Sequence, residues 1–285
     1  MIYKSFFDQD TATFTYVVYD DVTKKAAVID SVLNFDIFSG IISTTSADGV
    51  ILFIKQENLE LVWILETHIH ADHLTAASYI KDKCGGEIAI GAAIKDVLKT
   101  WVPILNIEED TDVNASQFDK LLDDGEILSL GHVKIKVMHT PGHTPACVSY
   151  LIDDTIFTGD TIFMPDIGTA RCDFPGGSAK DLYASICKIY QLPENMNICV
   201  GHDYPPKERD KRDKISIVEQ KKQNILIKEG TIAEAYIEDR NKRDMGKPVP
   251  RLLYPSIQFN LRAGKLGHME KNGMTYFKIP VKFGP

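Results

Sequence analysis

Thr67-His68-Ile69-His70-Ala71-Asp72-His73 opens an ordered series of metal-competent side chains that continues through His143 and Asp160 to His202. Five of the chain's eight histidines belong to this series. Three imidazoles and a carboxylate within six residues suit zinc, iron or manganese and make poor surface decoration. A structural metal site is normally closed and rich in sulfur. This set is nitrogen and oxygen only, which predicts open coordination positions and catalysis. His68 and His70 are spaced to point the same way from an extended strand end, and Asp160 can bridge two ions. Small neighbours (Ala71, Gly142, Gly159, Gly201) admit close backbone approach.

Working outward, each cluster of the series follows a predicted strand. The apolar run Leu61–Leu65 reads as a buried strand that stops before Thr67. Glu126–Leu130 and Val133–Met138 flank Gly131-His132 as a hairpin, and His139-Thr140-Pro141-Gly142-His143 is the loop after it. Cys147–Ile152 and Thr155–Phe157 pair around Asp153-Asp154, just ahead of Gly159-Asp160. Asn197–Val200 is a strand ended by Gly201-His202. Further strands are expected at Phe14–Tyr19 and Ala26–Ile29. Helices are expected at Ala47–Asn58, Leu74–Lys83 and from about residue 178 to Tyr190, the last opened by a capping-box-like Ser178 and Asp181. Ligands at the carboxyl edges of strands imply one pocket assembled from distant segments. From about Pro205 the charge run Lys207–Lys214 reads as a solvated segment, followed by helices near Ile215–Asn224 and Ile232–Asn241 and a Pro-punctuated, partly β tail. The expected division is a catalytic unit over residues 1–204 and an appendage over 205–285 packed on it.

Composition sets bounds. The 285 residues suffice for one large α/β unit with an appendage, and 44% hydrophobic and 25% charged residues are ordinary for a globular protein. A formal charge of −8, from 32 basic and 40 acidic residues, argues against a nucleic-acid partner. The five cysteines form no C-x-x-C pair, which fits a reducing compartment. The N-terminal stretch has no signal-peptide pattern and no apolar run approaches membrane-spanning length, so a cytoplasmic location is expected. His132 and His268 are assigned no role, and His139 is expected to order its loop.

The H-x-H-x-D-H element followed by a lone His, an Asp and a last His resembles the metallo-β-lactamase superfamily. The resemblance spans roughly Thr13 to Tyr204 and implies an αββα four-layer sandwich, with the metal site at one edge of two mixed sheets. Within the superfamily, residues 67–77, Gly159-Asp160-Thr161, Gly168-Thr169-Ala170-Arg171-Cys172-Asp173-Phe174, Gly201-His202-Asp203-Tyr204 and residues 250–264 are similar to the persulfide dioxygenase family, in its bacterial β-lactamase-like hydrolase branch. That resemblance implies one Fe(II) per chain on His68, His143 and Asp160, oxidising glutathione persulfide with O₂ to sulfite and glutathione. His70, Asp72, His73 and His202 would then line a second site.

On this reading Arg171 is expected to grip the anionic end of glutathione, Asp173 to hold Arg171 or a ligand histidine, and Tyr204 to donate over the pocket. All seven ligands of the superfamily's two-metal hydrolases are also present. The alternative expectation is therefore a glyoxalase II-type enzyme with two zinc ions that cleaves a glutathione thioester, with Arg240, Lys242 and Arg243 as its glutathione site. A β-lactamase, which would carry an export signal, and a non-catalytic metal or thiol sensor rank lower. Tyr254, Phe259 and Phe277 in the tail would suit a homodimer contact.

Overall fold

The computed structural model describes residues 1–281 and Phe283. Its first half runs β1 (Ile2–Asp8), β2 (Thr13–Tyr19), β3 (Lys25–Ile29), β4 (Val32–Asp36), β5 (Ile41–Ser43), α1 (Thr45–Gln56), β6 (Glu60–Glu66), β7 (Leu74–Thr75), α2 (Ala77–Cys84), β8 (Glu87–Gly91), α3 (Ile94–Leu105) and β9 (Lys120–Leu122). The second half runs β10 (Ile127–Leu130), β11 (Val133–His139), β12 (Val148–Ile152), β13 (Thr155–Phe157), α4 (Ala179–Tyr190), β14 (Asn197–Cys199), β15 (Lys214–Ser216), α5 (Ile217–Gln223), α6 (Ala233–Asp244) and α7 (Leu253–Asn260).

Two six-stranded mixed sheets result, ordered β1-β2-β3-β6-β8-β9 and β10-β11-β12-β13-β14-β15, beside a small sheet β5-β4-β7. Their packing follows from strand periodicity. On β2, Phe14, Tyr16 and Val18 share a core with Ile135, Val137, Tyr150 and Phe157 of the opposite sheet. Val17 and Tyr19 point the other way, into a second core with Val50, Ile54, Ile80, Val97 and Leu98 of α1, α2 and α3. Successive strand residues therefore feed two different interfaces, and the alternation specifies the register of a strand buried on both faces. Helix α4 covers the far side of the second sheet through Leu182, Ile186 and Ile189. The architecture is the expected αββα sandwich. Among the described residues no helix is long and apolar enough to cross a membrane.

Two local expectations are corrected, and one strand was not anticipated. Leu74 and Thr75 are not helical; they pair antiparallel with Leu33 and Val32, and the helix starts only at Ala77. β1 carries polar residues between its apolar ones and is only partly buried, so its sequence hid the signal; it pairs along its whole length with β2. The tail contains α7 rather than another strand. Pro255 is the third residue of that helix, where a missing N–H breaks no intrahelical bond. Of the residues expected to suit a dimer contact, Phe259 is buried, Phe277 packs edge-on against Phe35 and Phe259, and Tyr254 is half-buried.

Helix α7 is part of the first layer's core, since Leu253, Ile257, Phe259, Leu261 and Ala263 join the cluster beneath α1–α3. Its last residue reaches the ligand loop. Asn260 Nδ2 donates to the carbonyls of His70 (2.8 Å) and His73 (2.9 Å), and its Oδ1 accepts from Thr75 N–H (2.8 Å). Asn260→Ala strands three buried backbone groups, each costing about 1–3 kcal/mol. Urea denaturation should show a loss above about 2 kcal/mol; a midpoint matching the parent protein would mean that water replaces the amide at no cost.

Candidate metal centre

Every ligand-bearing segment starts where a strand stops. His68 and His70 follow β6, His143 follows β11, Asp160 follows β13 and His202 follows β14. The loops are locked together through backbone. Val148 N–H donates to Thr67 O, Gly201 N–H to Gly159 O, and Phe14 N–H to Gly201 O. Two glycines are dictated by space. A Cβ at Gly142 (φ +143°) would lie 2.3 Å from the Leu182 backbone, and one at Gly159 (φ +48°) would lie 2.3 Å from Thr67 Oγ1.

The structure gathers the series into two sets. His68, His143 and Asp160 form one and His70, Asp72, His73 and His202 the other, with donor atoms of each set within 4.8 Å of one another. Two donors that share an ion at about 2.1 Å stand about 3–4 Å apart, so the spacing suits a metal. Asp160 faces both sets. Its Oδ2 lies 3.9 Å from both His68 Nε2 and His143 Nε2, while its Oδ1 lies 3.3 Å from His202 Nε2. Asp72 Oδ2 sits 3.3 Å from His73 Nδ1 and 3.4 Å from His202 Nε2.

The donor chemistry passes a further test. His68 Nε2, His70 Nδ1, His73 Nε2 and Asp160 Oδ1 are buried without hydrogen-bond partners. Leaving such atoms unpaired costs about 1–3 kcal/mol each, a cost that a coordinated cation removes. The opposite ring nitrogens are occupied. His143 Nδ1 lies 2.7 Å from Arg171 O, which can only accept, so Nδ1 carries the proton and Nε2 is free for a metal. His202 Nδ1 is held in the same way by Ala12 O at 3.2 Å.

Electrostatics separates the two sets. Burial and the neighbouring imidazoles of His70 and His143 hold His68 well below the usual imidazole range. Burial also disfavours the charged forms of His70 and His202, but nearby carboxylates outweigh it. Asp30 and Glu66 raise His70 well above its ordinary value, and Asp160 and Asp72 raise His202. Asp72 is driven well below the carboxylate range: burial opposes this, and His202 and His73 overcome it.

A cavity of about 440 Å³ opens from Asp72, His143 and Asp160, with Phe163, Ile167, Phe174 and Leu226 as apolar walls and Arg243 of α6 and the nearby Lys247 at its side. Arg171 lines it too, but its guanidinium is already engaged. It holds Asp173 through two 2.6 Å hydrogen bonds, donates to Pro248 O at 2.8 Å and stacks over Phe174. With Asp173 and Pro248 O on it, the guanidinium holds its own loop, and a carboxylate could take its two-pronged edge only by displacing Asp173. Arg240 is buried against Asp244 (2.6 Å) and Thr169 O (3.2 Å), and Lys242 does not line the cavity. Tyr204 stacks on His202 with ring centres 5.7 Å apart.

His139 orders its loop through Nε2 to Pro145 O at 2.9 Å. Arg209, read as part of a solvated run, instead clamps Asp203 and Asp166 beneath the His202 loop. Sequence reasoning missed Asp30, Glu66 and Asn260. For Asp30 a signal existed, because it too follows a strand, β3.

A family profile described as "Metallo-beta-lactamase superfamily" matches residues 9–202. The chain is 48% identical over 276 residues to "Glyoxylase B2" of Dictyostelium discoideum, covering 96% of this chain and 94% of that protein. It is 29% identical over 207 residues to the human mitochondrial "Persulfide dioxygenase ETHE1", covering 72% and 69%. Among solved structures, ETHE1 from Myxococcus xanthus superposes with a TM-score of 0.75 at 27% identity, covering 93% of this chain and all of that one.

The proton placement predicts how the two sets load. Filling the set that contains His70 and His202 must compete with protons that the nearby carboxylates favour, whereas burial disfavours protonation of His68. As pH falls from 8 towards 6, zinc affinity at the second set should therefore drop more steeply than at the first. Calorimetric titrations in buffers of different ionisation enthalpy read the released protons. Equal proton release for both binding events would contradict the assignment.

Proposed function

The chain belongs to the metallo-β-lactamase superfamily, and from that premise we propose that it is a two-metal hydrolase cleaving the thioester of a glutathione-type thiol. The observation that carries this reading is the carboxylate of Asp160, which turns one oxygen to each of two ligand sets. A single side chain so placed suits two adjacent ions. The name of the Dictyostelium relative, similar along nearly the whole chain, favours the same chemistry. His68, His143 and Asp160 would hold one ion, and His70, Asp72, His73 and His202, with the second oxygen of Asp160, the other. The ions, when bound, supply Lewis acidity that polarises the thioester carbonyl and brings the pKa of water to about 7.

The protein's own groups do the rest. Arg243 and Lys247 attract the carboxylates of the thiol moiety, and the apolar walls at Phe163, Ile167 and Leu226 exclude water beside the reacting bond. Tyr204 is 47% exposed, and its phenol, raised by partial desolvation and by the nearby Asp72 and Asp160, keeps its proton at neutral pH and can donate towards the departing sulfur. The balanced reaction consumes one water and yields a carboxylate and a free thiol. All five cysteines are free, which supports a reducing compartment and the cytoplasm. The net charge of −8 supports a small-molecule partner over nucleic acid.

One observation favours a second reading. His70 does not group with His68, His143 and Asp160, so the first set is two imidazoles and one carboxylate, the donor composition of non-haem Fe(II) oxygenases. The similarity to ETHE1 proteins accompanies it. On that reading the chain oxidises glutathione persulfide with O₂ and water to sulfite and glutathione, using one iron.

Metal content of protein purified without added metal, followed by both assays, decides. Two ions per chain with hydrolysis of a glutathione thioester is the expected result. One iron with O₂ uptake on glutathione persulfide would install the oxidative reading instead. In the two-metal enzyme, His73→Ala should retain one ion and lose hydrolysis; retention of full thioesterase activity would sink the proposal. Arg243→Glu with Lys247→Glu should raise KM about tenfold or more while changing kcat little, the pattern of lost uniform binding. An unchanged KM would remove both residues from substrate contact.

A further inference from the structure

A second, much smaller space adjoins the large cavity. Ala71, His143 and Phe174 line both, so these three residues form the partition between them. Beyond the partition lie Val97 and Trp101, one turn apart on the buried face of α3, and Ile257 of α7. Together they enclose a recess of about 10 Å³, roughly the room that one water-sized group needs.

The partition is low at one point and firm at another. Ala71 contributes a single methyl between the ligands His70 and Asp72. Phe174 stands edge-on to the His143 ring with 5.4 Å between ring centres, and the Arg171 guanidinium covers its face at 5.1 Å. Its carbonyl accepts from Gly177 N–H at 2.8 Å. A ring fixed on these sides keeps the recess open.

The recess is also apolar. Thr144, at its edge, turns its hydroxyl to Cys147 Sγ at 3.1 Å, and His143 commits Nδ1 to Arg171 O at 2.7 Å. A water there would find few partners, whereas a small apolar group gains by leaving solvent for such a space.

A thioester carries two arms on one carbonyl. The thiol arm is long and charged, and the large cavity leads it towards Arg243 and Lys247. The acyl arm leaves the carbonyl in another direction, and across Ala71 the recess offers it apolar walls beside a ligand of the first set. We propose that this recess is the acyl subsite, and that it restricts the enzyme to short apolar acyl groups, about two or three carbons long. The inference rests on the thioesterase reading and supplies the half of the substrate which that reading leaves open. One wall of the subsite, on α3, falls within residues 9–202 matched by the family profile, while Ile257 lies beyond them. Acyl choice is thus set in part by a helix outside the matched segment.

The test is a series of glutathione thioesters of acetic, propionic, butyric and hexanoic acids, hydrolysed by the zinc-loaded full chain. The acetyl or propionyl ester should exceed the hexanoyl ester in kcat/KM by about tenfold or more, the usual worth of a misfitting methylene in an apolar pocket. Val97→Ala enlarges the recess and should move the optimum to the butyryl ester. A kcat/KM that stays level or rises out to hexanoyl in the parent protein would overturn the proposal. So would a Val97→Ala profile lowered equally for all four esters, the mark of a merely structural role. Should Val97→Ala fail to fold, the parent profile decides alone. Hydrolysis without chain-length preference removes the acyl subsite only, whereas no hydrolysis of any ester removes the thioesterase reading and the subsite with it.

Discussion

Buried acceptor atoms converge where the strands of two face-to-face sheets run out, and the rest of the structure is arranged around them. Within a sheet, ladder partners satisfy the backbone; at its carboxyl edge the chain must turn, and side chains fill the space that pairing leaves. Here that space receives imidazoles and carboxylates from four separate segments. The aim of those groups depends on rigid supports. β6 delivers the Thr67–His73 segment, Asn260 grips its carbonyls, and the glycines beside Leu182 and Thr67 let the other loops approach. A flexible loop could carry the same residues but could not keep their bare nitrogens facing a common point.

Charge operates at two ranges in this molecule. Over the whole surface the excess of acidic residues repels polyanions. Within the cavity wall, Arg243 and Lys247 place local cations beside a centre that itself attracts anions once loaded. Other basic residues nearby are structural. Arg171 and Arg240 each grip an aspartate near them in sequence, Asp173 and Asp244, and reach across to Pro248 O and Thr169 O, which joins the 169–173 loop to α6 and the segment after it. Asp244 completes the link by accepting from Cys172 N–H at 2.8 Å.

Much of this was legible before any coordinates. The ligand series could be read because imidazoles and a carboxylate crowded into residues 67–73 serve little purpose without a cation to share, and the remaining members sit next to glycines at predicted strand ends. The hairpins around residues 131–132 and 153–154 were legible because alternation and turn residues agreed there. What escaped was set by tertiary context. Leu74-Thr75 has a helical pattern but is drawn into a strand by β4 and Asn260. α7 was hidden by a proline that its first turn tolerates. Arg171 carries the chemistry of an anion grip, and only three-dimensional proximity reveals that Asp173 and the carbonyl of Pro248 already occupy it. Asp30 also ends a strand, but its contacts with Thr67 and His70, some forty residues away, follow from tertiary proximity and not from spacing.

The contact between Asn260 and the carbonyls of His70 and His73 also bears on biosynthesis. Every ligand of the centre has been translated by the time His202 is added, yet the amide that steadies the first four arrives nearly sixty codons later. A nascent chain still tethered to the ribosome before that point possesses the complete donor inventory without its brace. A chain cut before Asn260 would keep all seven donors and lose the three hydrogen bonds that hold the loop of the first four.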